Sequence, residues 1–540
     1  MQKGLRQLRS RDFSSTAKSG EVCLHPPGSP AILNQIAQFF STRFPAGEAG
    51  AYLVGGFLRD SLLRGEIADF RSASGPRDMD IAVPSTVASV EELGREVAAR
   101  LGGACQPHNL TRGVYQVIVP PPPDGEGSDG GSLVVDLARY ESGINEDMDR
   151  RDFTANAMAL SLDHPALLND DLDEWPIPAA EWANDLVDPF GGRRDVYRKQ
   201  IRTVNDEVFR LDPGRLLRGA RLAGQLQFML APETARQIRR DAPQLEKTAP
   251  ERVRDEFMTI LAGEGARGQL EVLDRLDLLC RIIPELALTK GVEQPSAHYW
   301  DVWNHNLHTV EYAELITRGH QNSAIYSLTP WNEEAAAYFA EEVGDGFNRR
   351  TVLKLAGLLH DIAKPQTKGP DKTGRIRFLG HSELGAEMVT ERLTQLRFSA
   401  RIVSMVARMV EHHLRPSQLR HGDEEPTPRA VHRYYRDVND VAIDTVYLAM
   451  ADYLAAKGPE VVADRWANHA RMLGNLLDAG REQAPAEGAR RLLTGHDLMQ
   501  HLNLPPGPQI GRLLEQIDEA RAAGEISTRE EALALADGLK

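Results

Sequence analysis

The sequence predicts an α+β protein: a mixed sheet with helices at the N-terminal end, followed by all-α segments. Three observations point there. Apolar β-rich runs, Leu53-Val54, Ile81 to Val83, Val114 to Val119 and Leu133 to Leu137, alternate with helical patterns in the first third of the chain. From Glu207 onward the apolar period is helical, and Arg215, Arg218 and Arg221 are spaced to share one helix face. A length of 540 residues is enough for roughly two to four domains.

Composition narrows the class. Hydrophobic residues make up 41% and charged residues 26% of the chain, as in ordinary globular proteins. No apolar run approaches a membrane span. The cysteines, Cys23, Cys105 and Cys280, form no Cys-x-x-Cys pair, which points to a reducing, cytoplasmic setting and away from a cysteine zinc site. Residues 1–30 hold Lys3, Arg6, Arg9, Arg11 and Lys18 without an apolar core segment, so they are expected to be a poorly ordered tail rather than a secretory signal. The net charge of −15 excludes an all-basic surface, yet residues 193–240 carry twelve basic and five acidic side chains. That stretch is either a nucleic-acid footprint or a helix face laced with ion pairs.

In chain order, Ile32 to Phe40 has helical spacing. A strand then ends at Leu53-Val54, and Gly55-Gly56 opens a short helix containing Arg59. Glycines let backbone N–H groups approach a phosphate, and a helix N-terminus attracts anions. After a polar loop over residues 66–77 a second strand begins Asp78-Met79-Asp80. Residues i and i+2 of a strand share a face, so the carboxylates project together and repel unless a cation lies between them. Mg²⁺ favours a few carboxylates plus substrate phosphates. An isolated Asp-x-Asp is more often a solvated strand start; the adjacent glycine pair shifts the reading toward phosphoryl or nucleotidyl transfer. Val87 to Leu101 reads as an amphipathic helix, and Asp136, in the last β-rich run, is a third carboxylate able to join the pair. Between the last two β-rich runs, residues 120–131 form a Pro/Gly/Asp-rich loop. Arg150-Arg151-Asp152-Phe153-Thr154-Ala155-Asn156-Ala157 is expected to open an apolar helix, with polar groups suited to phosphates and a ribose.

Leu53-Val54-Gly55-Gly56-x-x-Arg59-Asp60, Asp78-x-Asp80, the Arg150 to Ala157 block, Asp188-Pro189-x-x-Gly192-x-x-Asp195 and Asp212-x-x-Arg215 follow one another in order. Together they resemble the bacterial class II tRNA nucleotidyltransferase/poly(A) polymerase family over about residues 50–230. The resemblance implies a polymerase-β-like head, a helical neck and body, the tRNA 3′ end as partner, and CTP and ATP as substrates. It assigns Asp78 and Asp80, with Asp136, to catalysis and Mg²⁺ binding. Gly55, Gly56 and Arg59 would meet the triphosphate, and Arg151, Asp152 and Asn156 the sugar and phosphates. Asp212 and Arg215, with Arg218 beyond them, would face the incoming base; a carboxylate and a guanidinium offer the acceptors and paired donors of a template base. The chain departs from the family pattern at three places. Leu211 replaces the glutamate that precedes Asp212 and would orient Arg215. Residues 139–150 are shorter than the loop needed to switch from C to A, which resembles members adding only CC. The detour over residues 65–77 is longer than usual.

A second constellation follows. His305, His360-Asp361 on an apolar helix and Asp452 form a set of imidazole and carboxylate ligands. It resembles the HD superfamily of metal-dependent phosphohydrolases, which implies a divalent metal on those four residues, Lys364 toward a phosphate, and His381 and His413 at a second metal or at substrate. His308 and His412 lie near enough in sequence to compete for such roles. The implied chemistry is hydrolysis of a phosphate ester or a 2′,3′-cyclic phosphate. A polar insertion over residues 319–349 falls between the first ligands and could shield them. In the tail, His496-Asp497 mimics a metal motif, but Asp497 reads as a helix cap.

The expected division is a tail (1–30), a nucleotidyltransferase head (31–165), a neck and body (166–292), an HD domain (293–480) and a C-terminal helical module (489–540). The leading expectation is a template-independent enzyme adding C, with or without A, to tRNA. The alternatives are a CC-only enzyme or poly(A) polymerase, a phosphohydrolase whose head only binds RNA, and a structural RNA-binding protein. No membrane and no protein partner is implied.

Overall fold

The computed structural model describes residues 31–44, 50–68, 78–110, 113–121, 132–169, 175–319, 323, 325–419, 426–483 and 491–539. The expected tail and the greater part of the 66–77 and 120–131 loops lie outside the described residues. The chain forms two compact units, Met1–Val208 with Met229–Thr234, and Phe209–Phe228 with Ala235–Lys540.

The first unit is built on a mixed sheet of β1 (Tyr52–Val54), β2 (Asp78–Pro84), β3 (Ala104–Asn109), β4 (Val114–Val119), β5 (Leu133–Tyr140) and β6 (Ala159–Ser161). Their order is β3-β4-β5-β2-β1-β6. β2 and β5 run parallel while the other neighbours are antiparallel. The helix Val90–Leu101 supplies the crossover from β2: Ser89 caps it by accepting from the Glu92 N–H, and Val90, Leu93, Val97 and Leu101 bury one face. Val54, Ala82, Tyr140, Met148, Ala157 and Ala159 form a core under the β1–β2 end of the sheet.

The Arg150 block corrects the expectation of a helix. The helix Ile144–Asp149 ends just before it, Thr154–Asn156 make a single 3-10 turn, and the chain enters β6 at the sheet edge. The reason is tertiary. The Thr154 N–H donates to Arg202 O at 2.8 Å and its hydroxyl to Asp195 Oδ2 at 2.7 Å. The donors a helix would use are thereby committed to distant partners.

The second unit is helical. Arg215–Gln225, Pro250–Ala262 and Ala266–Arg275 precede Val302–Ile316, Arg349–Leu359, His381–Gln395, Ala400–His412 and Ala442–Lys457. Asp452 lies inside the last of these. The insertion over residues 319–349 contains the helix Glu333–Ala340. Its Trp331 and Phe339 pack with Tyr447, and Ile325 O accepts from Trp466 Nε1 at 2.7 Å. Three C-terminal helices, Gly495–Leu502, Pro508–Ala522 and Arg529–Leu539, close on Leu498, Leu502, Leu513 and Ile517. Thr494 is the cap of the first, and Asp497 completes a capping box. No helix among the described residues is long and apolar enough to cross a membrane.

Candidate active site and metal centre

In the first unit, β2 alternates as its sequence requires: Asp78 and Asp80 are exposed on one face and Met79 is buried on the other. Parallel pairing puts Asp136 of β5 level with Asp80. Three carboxylates therefore line one sheet face. Partial desolvation by its neighbours, and then the negative charge of Asp136, hold the Asp78 carboxyl above the usual range. On β4, Gln116 is level with Asp136 and donates to its Oδ1 at 3.0 Å.

The glycine pair sits against this row. Gly55 has φ +79°, and a Cβ there would lie 2.7 Å from Asp80 Oδ2 and 3.2 Å from Arg151 Nη1. Only glycine fits both the backbone angle and the space. Arg59, 9% exposed, gives Nη1 to Asn156 Oδ1 at 2.6 Å and Nε and Nη2 to Asp60 at 2.8 and 3.0 Å. Asn156 Nδ2 in turn reaches Asp152 Oδ1 at 3.5 Å, which also accepts the Phe153 N–H at 2.8 Å. Arg151 is held by Asp147 Oδ2 through Nε at 3.1 Å and Nη2 at 3.0 Å. The structure thus brings Gly55, Gly56, Arg59, Asp80, Arg151, Asp152 and Asn156 into one connected group.

Sequence reasoning gave no role to Gln116 or Asp147, and none to the brace beneath the group. Asp195 is fully buried, receives Thr154, and is gripped by Arg202 at 3.0 and 3.2 Å. Arg202 also reaches Glu233 at 3.0 Å. Asp188 accepts the Gly192 and Arg193 N–H groups at 2.5 and 3.0 Å, capping the helix Gly192–Tyr197. The spacing Asp188…Asp195 was visible in the sequence; that both acids serve the scaffold was not.

Asp212, Arg215 and Arg218 belong to the second unit. Arg215 stands 3.7 Å from Asp212, at the start of the helix Arg215–Gln225. Leu211, 70% exposed, leaves the glutamate's place unfilled. The cation that grips Asp212 is Arg252, bonded to its two oxygens at 2.5 and 3.0 Å, and Gly214 N–H adds a bond at 3.1 Å. Burial raises the Asp212 carboxyl, but Arg252, Arg215 and the Gly214 N–H outweigh it and hold the group below the usual range. Arg252 escaped the sequence reading because forty positions separate it from its partner. Ion pairs also absorb part of the basic stretch: Arg210 pairs with Asp241 and Arg221 with Glu256.

The second constellation converges in the same unit. His305 Nε2 lies 3.1 Å from His360 Nε2, 3.4 Å from Asp361 Oδ2 and 3.0 Å from Asp452 Oδ1. On the other side of Asp361, its Oδ1 lies 3.4 Å from His381 Nε2 and 3.8 Å from His413 Nε2. Asp361 is therefore shared by two triads, His305-His360-Asp361 and Asp361-His381-His413. Nδ1 of His360, His381 and His413 faces Gly357 O, Phe378 O and Val410 O respectively, at 2.9, 2.6 and 2.7 Å. Those bonds leave Nε2 of each ring for a cation. The buried Asp361 Oδ1 has no hydrogen-bond donor, whereas Lys364 Nζ pairs with Oδ2 at 2.5 Å. Burial raises the Asp361 carboxyl, but His360 and Lys364 pull it far below the usual range. Burial lowers His360, while Asp361 and Asp452 raise it to about 10. Four crowded imidazole nitrogens around one shared carboxylate, with its Oδ1 unpaired, fit divalent cations. His308 turns away to Glu311 at 3.0 Å.

Known proteins carry the same segments. Residues 130–202 match the Poly A polymerase head domain, residues 227–289 the probable RNA and SrmB-binding site of polymerase A, residues 333–457 the HD domain, and residues 482–536 tRNA nucleotidyltransferase domain 2 (putative). The chain is 33% identical over 499 residues to the A-adding tRNA nucleotidyltransferase of Deinococcus radiodurans, covering 91% of this chain and 95% of that protein. To the CC-adding tRNA nucleotidyltransferase of Thermus thermophilus it is 32% identical over 492 residues, covering 90% and 92%.

The chain belongs to the tRNA nucleotidyltransferase family.

Solved members share its fold. A CCA-adding enzyme with ATP superposes with a TM-score of 0.57 at 20% identity, covering 94% of this chain and 95% of that one. The Thermotoga maritima CCA-adding enzyme complexed with tRNA gives 0.52 at 20% identity, with the same coverage. Both tRNA nucleotidyltransferase heads and HD domains use divalent metals, and this tRNA nucleotidyltransferase carries residue groups suited to hold them.

Proposed function

We propose that this chain is a template-independent tRNA nucleotidyltransferase that adds C from CTP to the tRNA 3′ end and stops before the terminal A. The carrying observation is the carboxylate row Asp78, Asp80 and Asp136, with Gly55 packed against Asp80. In this reading Asp78 and Asp80 hold Mg²⁺; partial desolvation and then the negative charge of Asp136 raise Asp78, and a cation relieves that repulsion. When bound, the cations supply positive charge at the triphosphate and favour ionisation of the attacking hydroxyl.

The chain's own groups do the rest. Backbone N–H groups at the start of the helix Gly56–Arg64 receive triphosphate oxygens. Arg59 spends its donors on Asp60 and Asn156, so it positions Asn156 and, through it, Asp152 near the sugar. Asp136, with Oδ1 held by Gln116, accepts the proton of the tRNA 3′-hydroxyl. The 3′-oxygen bonds to the α-phosphorus, the bond to the β-phosphate oxygen breaks, and pyrophosphate leaves. Asp212 accepts from the exocyclic amine of cytosine and Arg215 donates to its ring acceptors.

Stopping after C rests on the stretch between Asp136 and Arg151. β5 ends at Tyr140 and a helix begins at Ile144, leaving no extended loop to rearrange for ATP. The A-adding and CC-adding relatives are equally similar, at 33% and 32%, so identity does not choose between them. The HD domain, in this reading, hydrolyses phosphate esters or 2′,3′-cyclic phosphates, with divalent cations on the two Asp361 triads and Lys364 facing the phosphate. A cytoplasmic site accords with tRNA processing and with the free thiols of Cys105 and Cys280.

The test supplies Mg²⁺, CTP and ATP with tRNAs lacking the whole CCA end, its last two nucleotides, or only the final A, and sequences the products. Two cytidines are expected on the first, one on the second and none on the third, with no adenosine on any. Incorporation on none of them overturns the reading; adenosine on the last tRNA overturns its C-only form.

A further inference from the structure

We infer that the hairpin Lys368–Phe378 is a backbone guide that feeds the 3′ end of a single-stranded RNA into the HD centre. The inference rests on the hydrolase reading above and adds its substrate class: a polynucleotide terminus rather than a free nucleotide.

Placement is the first argument. The strands Lys368–Pro370 and Ile376–Phe378 pair antiparallel, and both are rooted at the metal ligands. The first leaves the short helix Lys364–Thr367, whose Lys364 pairs with Asp361. The second ends at Phe378, whose carbonyl faces His381 Nδ1 at 2.6 Å and whose ring lies 5.5 Å from Lys364 Nζ. Anything bound along the hairpin is delivered to the shared carboxylate.

Charge is the second. Residues 364–381 contain Lys364, Lys368, Lys372, Arg375 and Arg377 against one acid, Asp371, in a chain whose net charge is −15. Asp371 is consumed within the turn: Oδ1 accepts from Thr373 N–H at 2.8 Å, Thr373 Oγ1 at 2.6 Å and Arg375 N–H at 3.1 Å, and Oδ2 meets Arg377 at 3.3 Å. Lys368, Lys372 and Arg375 are exposed and have no acidic partner among the described residues. Ile376 on the second strand, directly after Arg375, and Leu379 just beyond that strand are 41% and 77% exposed and offer apolar surface to bases. Cations tracking a backbone beside surfaces that accept bases are what single-strand binding uses. A mononucleotide would need Lys364 alone. The buried ligand rings, at 0% for His305 and His360 and 7% for His381, admit an end of the strand rather than its middle.

The full-length chain is tested with Mn²⁺ on a dodecaribonucleotide ending in a 2′,3′-cyclic phosphate and on cytidine 2′,3′-cyclic phosphate. The oligonucleotide is expected to have a kcat/KM about tenfold higher or more, with an advantage that falls as salt rises. The triple variant Lys368→Ala, Lys372→Ala, Arg375→Ala should lose that advantage, flatten the salt dependence by about two log units per log unit of salt, and keep the mononucleotide rate. In parallel, Leu379→p-benzoylphenylalanine should photocrosslink to the same RNA, and not when the three cations are removed. If neither substrate is hydrolysed but the crosslink forms, the guide stands and the hydrolase reading falls. If both are hydrolysed equally and no crosslink forms, the guide is overturned while the hydrolase reading stands. Crosslinking to a polyglutamate peptide in preference to RNA also overturns it.

Discussion

Asp80 and Asp136 are level on adjacent parallel strands, so β2 and β5 bring together carboxylates that are far apart in sequence. With Asp78 they form a negative row that costs the fold stability and that, in the proposed function, a cation neutralises. Partial desolvation and the charge of Asp136 raise the Asp78 pKa. The metal-free native state therefore binds that proton more tightly than the unfolded chain, and its stability falls as pH rises from the unfolded toward the folded pKa. Asp78→Asn is expected to cut CMP incorporation by about a hundredfold or more while raising Tm in EDTA at pH 7. The Tm gain should shrink as pH falls, because the raised pKa lets native wild type take up the proton before the unfolded chain does. A variant with lower Tm at pH 7 would remove the like-charge account.

Gly55 packs against that row and leads into the helix Gly56–Arg64, whose start is proposed to receive the triphosphate. A side chain at φ +79° is strained, and a Cβ would meet Asp80 Oδ2 at 2.7 Å. Gly55→Ala is expected to destabilise the protein by about 1–3 kcal/mol and to displace Asp80. Incorporation measured well below Tm should fall further than the unfolded fraction explains. Unchanged activity with lowered Tm would separate the glycine from the site.

How far the chain could be read in advance depended on the distance over which each relation acts. Asp78 and Asp80 are neighbours on one strand, so period-2 geometry alone placed them together. The His360-Asp361 pair was legible for a similar reason. Arg252 was not, because nothing local to Pro250–Ala262 marks one arginine among several as the partner of Asp212. The Arg150 block failed differently. Its local pattern suits a helix, and only Asp195 and Arg202, met later in the chain, pull Thr154 into a 3-10 turn.

Asp195 is expected to act through stability. Its carboxylate is fully buried and is satisfied by Thr154 and Arg202. Because the Arg202 side chain is 27% exposed and can rehydrate, Asp195→Ala should cost about 2 kcal/mol, below the range for a fully buried pair. The Tm drop should be accompanied by a raised KM for CTP, since Thr154 precedes Asn156 in the same turn. Differential scanning fluorimetry and initial rates measure the two effects; an unchanged Tm would remove the brace.

Arg252 should govern base choice. It occupies both Asp212 oxygens, and Arg215 waits at 3.7 Å. Removing a charge-assisted pair of bonds is worth about 1.5–3 kcal/mol, and here the loss frees the carboxylate to turn. Arg252→Ala is expected to lower kcat/KM for CTP about tenfold while leaving UTP misincorporation nearly unchanged, so discrimination narrows. Arg252→Lys should recover part of it, since one ammonium cannot grip both oxygens. Equal losses for CTP and UTP would mean that Arg252 supports the helix and not the base.

Asp361 is common to both histidine triads, which gives the proposed metal centre an unequal response to substitution. Asp361→Asn removes an anionic ligand from each triad at once, whereas His413→Ala touches only the one that also contains His381. After dialysis against Mn²⁺ and removal of loosely held ions, elemental analysis of wild type should show metal in both triads. His413→Ala should lose about half of it and Asp361→Asn nearly all. In both variants CMP incorporation should stay near wild type, because the head's carboxylates belong to the other compact unit. Hydrolysis of a 2′,3′-cyclic phosphate should vanish in Asp361→Asn. If His413→Ala emptied the centre as completely as Asp361→Asn, the triads would be one site, and Asp361 would be an ordinary ligand rather than a bridge.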